Sequence, residues 1–92
     1  MLQFDWDENK NISNIDKHYV SFAEAAFVFQ DPLSATFPDP DHSLEEDRYL
    51  TIGMSALDRV LIVSPTDRDD RIRIISARLA TRHERRAYEN GP

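Results

Sequence analysis

Six arginines (Arg71, Arg73, Arg78, Arg82, Arg85 and Arg86) stand within residues 71–92, against two acids, Glu84 and Glu89. That local charge of +4 sits in a 92-residue chain whose net charge is -6. Arginine is favoured over lysine where a planar fork must grip phosphate or carboxylate through two bonds at once. The cluster therefore fits an RNA-phosphate site. It also fits a solvent-facing helix whose arginines pair with Glu89 or with an acidic loop.

Metal-free cleavage of RNA asks for few groups. A base takes the 2′-OH proton, an acid protonates the departing 5′-oxygen, and cations offset the charge on the phosphorane. Arginines suit the last role; a histidine, glutamate or perturbed lysine suits the others. Lys17-His18 closes a helical pattern, where the pair also suits terminal carbonyls and the helix dipole. His18, His42 and His83 are too scattered for a metal-ligand motif, and His42 is given no role. Two glycines, Gly53 and Gly91, cannot make a Gly-rich phosphate loop, and no serine-nucleophile motif occurs. No cofactor is implied.

These groups need elements to position them. Ninety-two residues suggest one domain, 1–92, with a single modest core. There is no cysteine, which fits a reducing cytoplasm. No apolar run approaches a bilayer span and no signal peptide is seen, so a soluble cytoplasmic protein is expected. Charge is polarised: residues 1–47 carry two lysines against eleven acids, and residues 48–92 carry nine arginines against six acids. The halves stand at -9 and +3, which suggests two surfaces with different electrostatic tasks.

Leu2 and Phe4 alternate with polar neighbours as a first strand, and Asp5 or Asp7 can cap a helix with Ile12, Ile15 and Tyr19 on its apolar face. Ser21 and Glu24 form a capping box for a helix over 21–30, with Phe22, Ala25, Ala26 and Phe29 inward. Trp6, Phe22 and Phe29 read as core rather than as stacking platforms. Leu33, Ala35 and Phe37 predict a strand before the acidic loop 38–47, which has room for one turn begun by Ser43 and Glu46. Arg48–Met54, Arg59–Ser64 and Arg71–Ala77 read as hairpin-linked strands, with Val60-Leu-Ile-Val63 central. Alternation puts Ile72, Ile74, Ser76 and Arg78 on one face of the last strand. Thr81 and Glu84 cap a final helix ending at Asn90-Gly91, with Arg82, Arg85, Arg86 and Glu89 on one side. The expectation is an α+β fold: an antiparallel meander covered on one face by helices, two N-terminal and one C-terminal.

Several stretches, in order along the chain, resemble one family. They are Phe4-Asp-Trp-Asp7 with Lys10, Asn14-Ile-Asp-Lys-His18, Val20-Ser-Phe22 with Glu24-Ala25, and Phe29-Gln-Asp-Pro32. Further on come His42-Ser43, Glu46-Asp-Arg-Tyr49, Ile52-Gly53, Arg59, Arg73-Ile-Ile-Ser-Ala-Arg78, Ala80-Thr81 and Glu84-Arg85 with Tyr88. Together these resemble BrnT-type toxins, the ribonuclease half of bacterial type II toxin–antitoxin pairs. The chain departs from that pattern at Tyr19, where glycine is usual, and at Leu79, commonly lysine.

The resemblance implies a RelE-like fold, a metal-independent endoribonuclease that inhibits translation, and a ribbon-helix-helix antitoxin as partner. On this reading Arg59 and Arg78 hold the scissile phosphate. Glu46 or Glu84 accepts a proton, Lys17 or His18 donates one, and Arg48, Arg73, Arg82 and Arg85 contact RNA. The alternative is a catalytically degenerate module that binds a basic partner through residues 31–47.

Overall fold

Val60-Leu-Ile-Val63 is buried throughout and forms the middle of the sheet, as a strand covered on both faces must. The structure, a computed structural model, describes residues 2–42 and 48–91. The central run belongs to β4 (Val60–Arg68), which pairs antiparallel with β3 (Tyr49–Met54) and with β5 (Arg71–Leu79). β2 (Ala35–Pro38) extends the meander beyond β3, and β1 (Gln3–Asp5) joins the far edge of β5 in parallel. The sheet order is β1-β5-β4-β3-β2.

Two expectations about these strands are corrected. Pro65 does not end β4, which runs on to Arg68 and turns through Asp69-Asp70, with Asp69 at φ 55° as a tight hairpin requires. Pro65 is tolerated because the ladder slips there: Ser64 pairs with Ser76, Pro65 with Ile74, and Ile75 is left over as a bulge. The extra residue inverts the alternation. Ile74 and Ala77 share one buried cluster, whereas Arg78 lies beside Ile62 of the opposite cluster. The four residues 72, 74, 76 and 78 therefore do not share a face.

Helices cover both faces, not one. On the first face lie α1 (Glu8–His18), α2 (Phe22–Ala26) and a 3-10 turn, Phe27–Gln30. There Val20, Phe22, Ala25 and Val28 pack against Leu61, Val63, Ile74 and Ala77. Phe22, Ala25 and Val28 recur every three residues, the period of the tighter 3-10 winding, so Phe29 is only half-buried, beside Phe4 at 5.5 Å between ring centroids. Gly53 lets that turn lie on β3, since a Cβ there would meet Val28 Cγ1 at 2.8 Å. α3 (Arg82–Asn90) follows β5 after two residues and lies on the second face, where Tyr88 packs with Ile52, Val60 and Ile62.

The expected capping box of α3 is complete: Thr81 and Glu84 each satisfy the other's backbone N–H, and Gly91 closes the helix at φ 72°. That of α2 is half made. Ser21 accepts from the Glu24 N–H, but the Glu24 carboxylate goes elsewhere.

α1 is turned the other way from the expectation. Ile12, Ile15 and Tyr19 face solvent, and Asn14 is its buried residue. The reason is a free strand edge. β1 covers β5 only over 71–73, and the Asn14 amide serves as a substitute strand, donating to Ala77 O at 2.8 Å and accepting from Ala77 N at 3.2 Å. It also donates to Val20 O at 2.8 Å. α1 ends with Tyr19 in the left-handed region at φ 60°, a stop made without the glycine such a position favours.

Candidate active site at the open edge of β5

Where β1 stops, α1 crosses the edge of β5 and the bulge frees Ile75 from pairing. Between them runs a groove of about 230 Å³, lined by Lys10, Ser13, Asn14, Lys17, His18, Ile75 and Ser76. Lys17 and His18, proposed from sequence as proton donors, thus come together with β5. Lys10, Ser13, Asn14 and Ser76 were missed. Asn14 stood among apolar neighbours on a helix read for its hydrophobic face, and the bulge that positions Ser76 had only Pro65 as a signal. Among the described residues no carboxylate lines this groove, which holds two lysines.

Arg78 lies two residues past Ser76 on the same face of β5, roughly 7 Å along the strand. Its Nη1 and Nη2 donate to Glu84 Oε1 and Oε2 at 2.8 and 3.0 Å. Glu84 also accepts from the Thr81 N–H at 2.8 Å. The Arg78 bond, reinforced by the Thr81 N–H, holds the Glu84 carboxyl down at about 2 despite its partial burial. Glu84 is therefore a fixed anion that aims Arg78, and a weak proton acceptor. The field of Asp41 and Asp39 adds to the retention of charge on Arg78.

Arg59 is placed differently. Its Nε donates to Glu24 Oε2 at 2.9 Å, and its Nη2 donates to Glu24 Oε1 and to Tyr19 O. Ser55 donates to the same carboxylate at 2.6 Å, and Ser55 and Glu24 are both buried. The Arg59 bond, with Ser55 and against desolvation, keeps the Glu24 carboxyl below its usual range. The guanidinium thus ties the end of α1 to α2 and the β3–β4 turn. Glu24 read from sequence only as a cap; its partner lies 35 residues away.

The other arginines spread out. Arg73 donates to Asp5 at 3.3 Å across β1 and β5. Arg48 precedes β3, and its carbonyl accepts from Asp39 N at 3.1 Å. Arg82, Arg85 and Arg86 all face solvent on α3, beside the Arg78–Glu84 pair at its N-terminus. Glu46 and the turn begun by Ser43 lie outside the described residues. α3 is held by Tyr88, whose hydroxyl donates to Asp31, a carboxylate that also accepts from Met54 N and Leu33 N. Burial first, then the Asp31 bond, pushes the Tyr88 hydroxyl up to about 12.

Among the described residues no three His, Cys, Asp or Glu side chains converge as a metal centre, and no helix is long and apolar enough to cross a membrane. The groove gathers Lys10, Lys17, His18 and Ser76 at one strand edge, while Arg78, braced by Glu84, lies further along β5 beside the arginines of α3. Cations so placed can bind an RNA backbone and neutralise charge that develops on a phosphate.

No curated protein matches the sequence. The chain is similar to the crystal structure of the Brucella abortus ribonuclease toxin BrnT, with a TM-score of 0.69 and 26% identity over 89% of this chain and 100% of that one. The family model for the ribonuclease toxin BrnT of type II toxin–antitoxin systems matches residues 6–84, which include α1, the whole of β5 and Glu84. The chain therefore belongs to the BrnT family of ribonuclease toxins.

Proposed function

We propose that this protein is a metal-independent endoribonuclease of the RelE-like kind, which arrests translation in the cytoplasm and is held in check by a ribbon-helix-helix antitoxin. The observation that carries the reading is the convergence of Lys17 and His18 with the bulged segment of β5 that leads to Arg78. In the reaction the RNA 2′-oxygen loses its proton and attacks the adjacent phosphorus. The bond from phosphorus to the 5′-oxygen breaks, leaving a 2′,3′-cyclic phosphate and a 5′-hydroxyl. Arg78 offsets the added charge on the phosphoryl oxygens, worth about 2.7–4 kcal/mol for a single donor of this kind. Lys17 or His18 protonates the departing oxygen; of the two acids read from sequence as proton acceptor, Glu46 is left once Glu84 is committed to Arg78. Glu84 and Arg59 act through other groups: Glu84 orients Arg78, and Arg59 fixes the end of α1, where Lys17 and His18 stand. Arg82 and Arg85 extend the RNA contact along α3, with Arg48 and Arg73 as more distant backbone contacts.

The degenerate-module reading has one observation in its favour, since Glu84 already occupies both Nη atoms of Arg78. A single experiment separates the two. Purified protein is incubated with single-stranded RNA in excess chelator, and the new ends are identified. Cleavage with cyclic-phosphate ends, lost in Arg78→Ala and reduced in Lys17→Ala and His18→Ala, supports the ribonuclease. An inactive wild-type protein that still binds its antitoxin supports the module. Binding to RNA should also weaken steeply with salt as counterions are released.

A further inference from the structure

α1 is amphipathic in the inverted sense. Its inner face holds Asn11 and Asn14, which bond to Phe22 N and to the backbone of Ala77 and Val20. Its outer face holds Ile12, Ile15 and Tyr19, exposed by 59, 42 and 77%. Positions 8, 12, 15, 16 and 19 fall on one stripe at helical spacing, so Glu8 and Asp16 flank these apolar groups. The lysines of the helix, Lys10 and Lys17, line the groove on the other flank. The helix cannot turn its apolar side inward without breaking the Asn14 bonds and baring the edge of β5. Three large apolar side chains on consecutive turns are thus committed to the surface, and a contiguous patch of this kind marks an interaction site.

We propose that this outer stripe, Ile12, Ile15, Asp16 and Tyr19, is the surface on which the antitoxin docks a basic amphipathic segment. The choice of occupant rests on charge, and on the toxin–antitoxin reading for the existence of that partner. The stripe carries one carboxylate, Asp16, and no cation, with Glu8 a turn beyond it accepting from Trp6 and Asn11, within a half-chain, residues 1–47, at -9. A second copy of this chain packed about a two-fold axis would set carboxylates against carboxylates, and RNA would be repelled by the same groups. A segment with apolar residues at helical spacing and flanking Lys or Arg meets both features. Lys10 and Lys17 lie on the opposite flank of the same helix, so a segment seated on the stripe leaves them uncovered and grips the helix that carries them.

The test uses the purified antitoxin encoded beside this chain, titrated into the full-length protein by calorimetry, with association followed at low and high salt. Ile12→Ala/Ile15→Ala should weaken binding by about 30-fold or more, as loss of central apolar anchors does. Asp16→Lys should slow association and flatten its salt dependence. Alanine favours helix and the replaced groups are exposed, so both variants should melt as the wild type does. Both should cleave RNA like the wild type when alone, and resist inhibition when antitoxin is added. Unchanged affinity in both variants overturns the proposal. So does a wild-type protein that dimerises alone and becomes monomeric in Ile12→Ala/Ile15→Ala, because the stripe would then serve a second copy. Binding is read by heat, so an absence of ribonuclease activity in the wild type would contradict the proposed function while this measurement still decides the surface.

Discussion

Two arginine–glutamate pairs of similar geometry stand in different surroundings in this molecule. In the first, Arg59 and Glu24 are 31 and 6% exposed, and the carboxylate also accepts from Ser55 while the guanidinium reaches Tyr19 O. In the second, Arg78 and Glu84 are 40 and 28% exposed, six residues apart at the junction of β5 and α3. The first joins the β3–β4 turn to the end of α1 and to α2 through a buried carboxylate. The second is local, and both of its partners open to solvent. The two pairs differ chiefly in the acid, which is buried in one and partly exposed in the other. Residue type alone does not make that distinction.

Removing the acid from each pair is the sharpest way to break this comparison. Glu24→Ala leaves a partly buried guanidinium and the Ser55 hydroxyl without their acceptor, and should cost about 3 kcal/mol in urea unfolding. Glu84→Ala removes an exposed pair and one half of a capping box, and should cost about 1 kcal/mol. Equal losses would dissolve the distinction. Phe22→Ala, at the centre of the core that the first pair borders, should cost about 3–5 kcal/mol, and Phe29→Ala distinctly less because that ring is half-buried.

Acid sharpens the second pair. The folded Glu84 carboxyl sits at about 2, below its ordinary 4.5. Its contribution is therefore complete above pH 4.5 and is lost as pH falls from there towards 2. Comparison of wild type with Glu84→Gln across that window should show the difference shrinking by up to about 1 kcal/mol, allowing for solvent screening of the exposed side. A difference independent of pH would mean that Glu84 is not held by Arg78. The smallest effect concerns the segment that Arg59 anchors. Tyr19→Gly removes a Cβ from the left-handed region and should stabilise the protein by about 1 kcal/mol, leaving cleavage unchanged.

Much of this molecule was legible from its residues. Element order, the central strand Val60–Val63, the α3 cap at Thr81 and Glu84, and the meander all follow from local pattern. The family resemblance, now established by the match over 6–84, came from ordered short motifs. What stayed hidden is long-range or depends on a count of one. A bulge at Ile75 inverts every later side chain of β5, and alternation read through it puts Arg78 on the wrong face. The orientation of α1 is decided by Ala77, 63 residues from Asn14, whose unpaired backbone outweighs the burial of Ile12 and Ile15. The parallel docking of β1 joins the two ends of the chain, and no local periodicity specifies it. The pairing of Arg59 with Glu24 was likewise hidden, because that acid lies 35 residues away in sequence.

The central claim is that chemistry belongs to the Arg78 end of this pairing and architecture to the Arg59 end. It is tested most directly by RNA cleavage in Arg78→Ala and Arg59→Ala, each rate divided by the folded fraction measured in the same buffer. The account predicts that Arg78→Ala melts within about 1 kcal/mol of wild type and loses cleavage by roughly 100-fold or more. It predicts that Arg59→Ala is clearly destabilised, yet cleaves within a few-fold of wild type per folded molecule. A stable, inactive Arg59→Ala beside an active Arg78→Ala would contradict it.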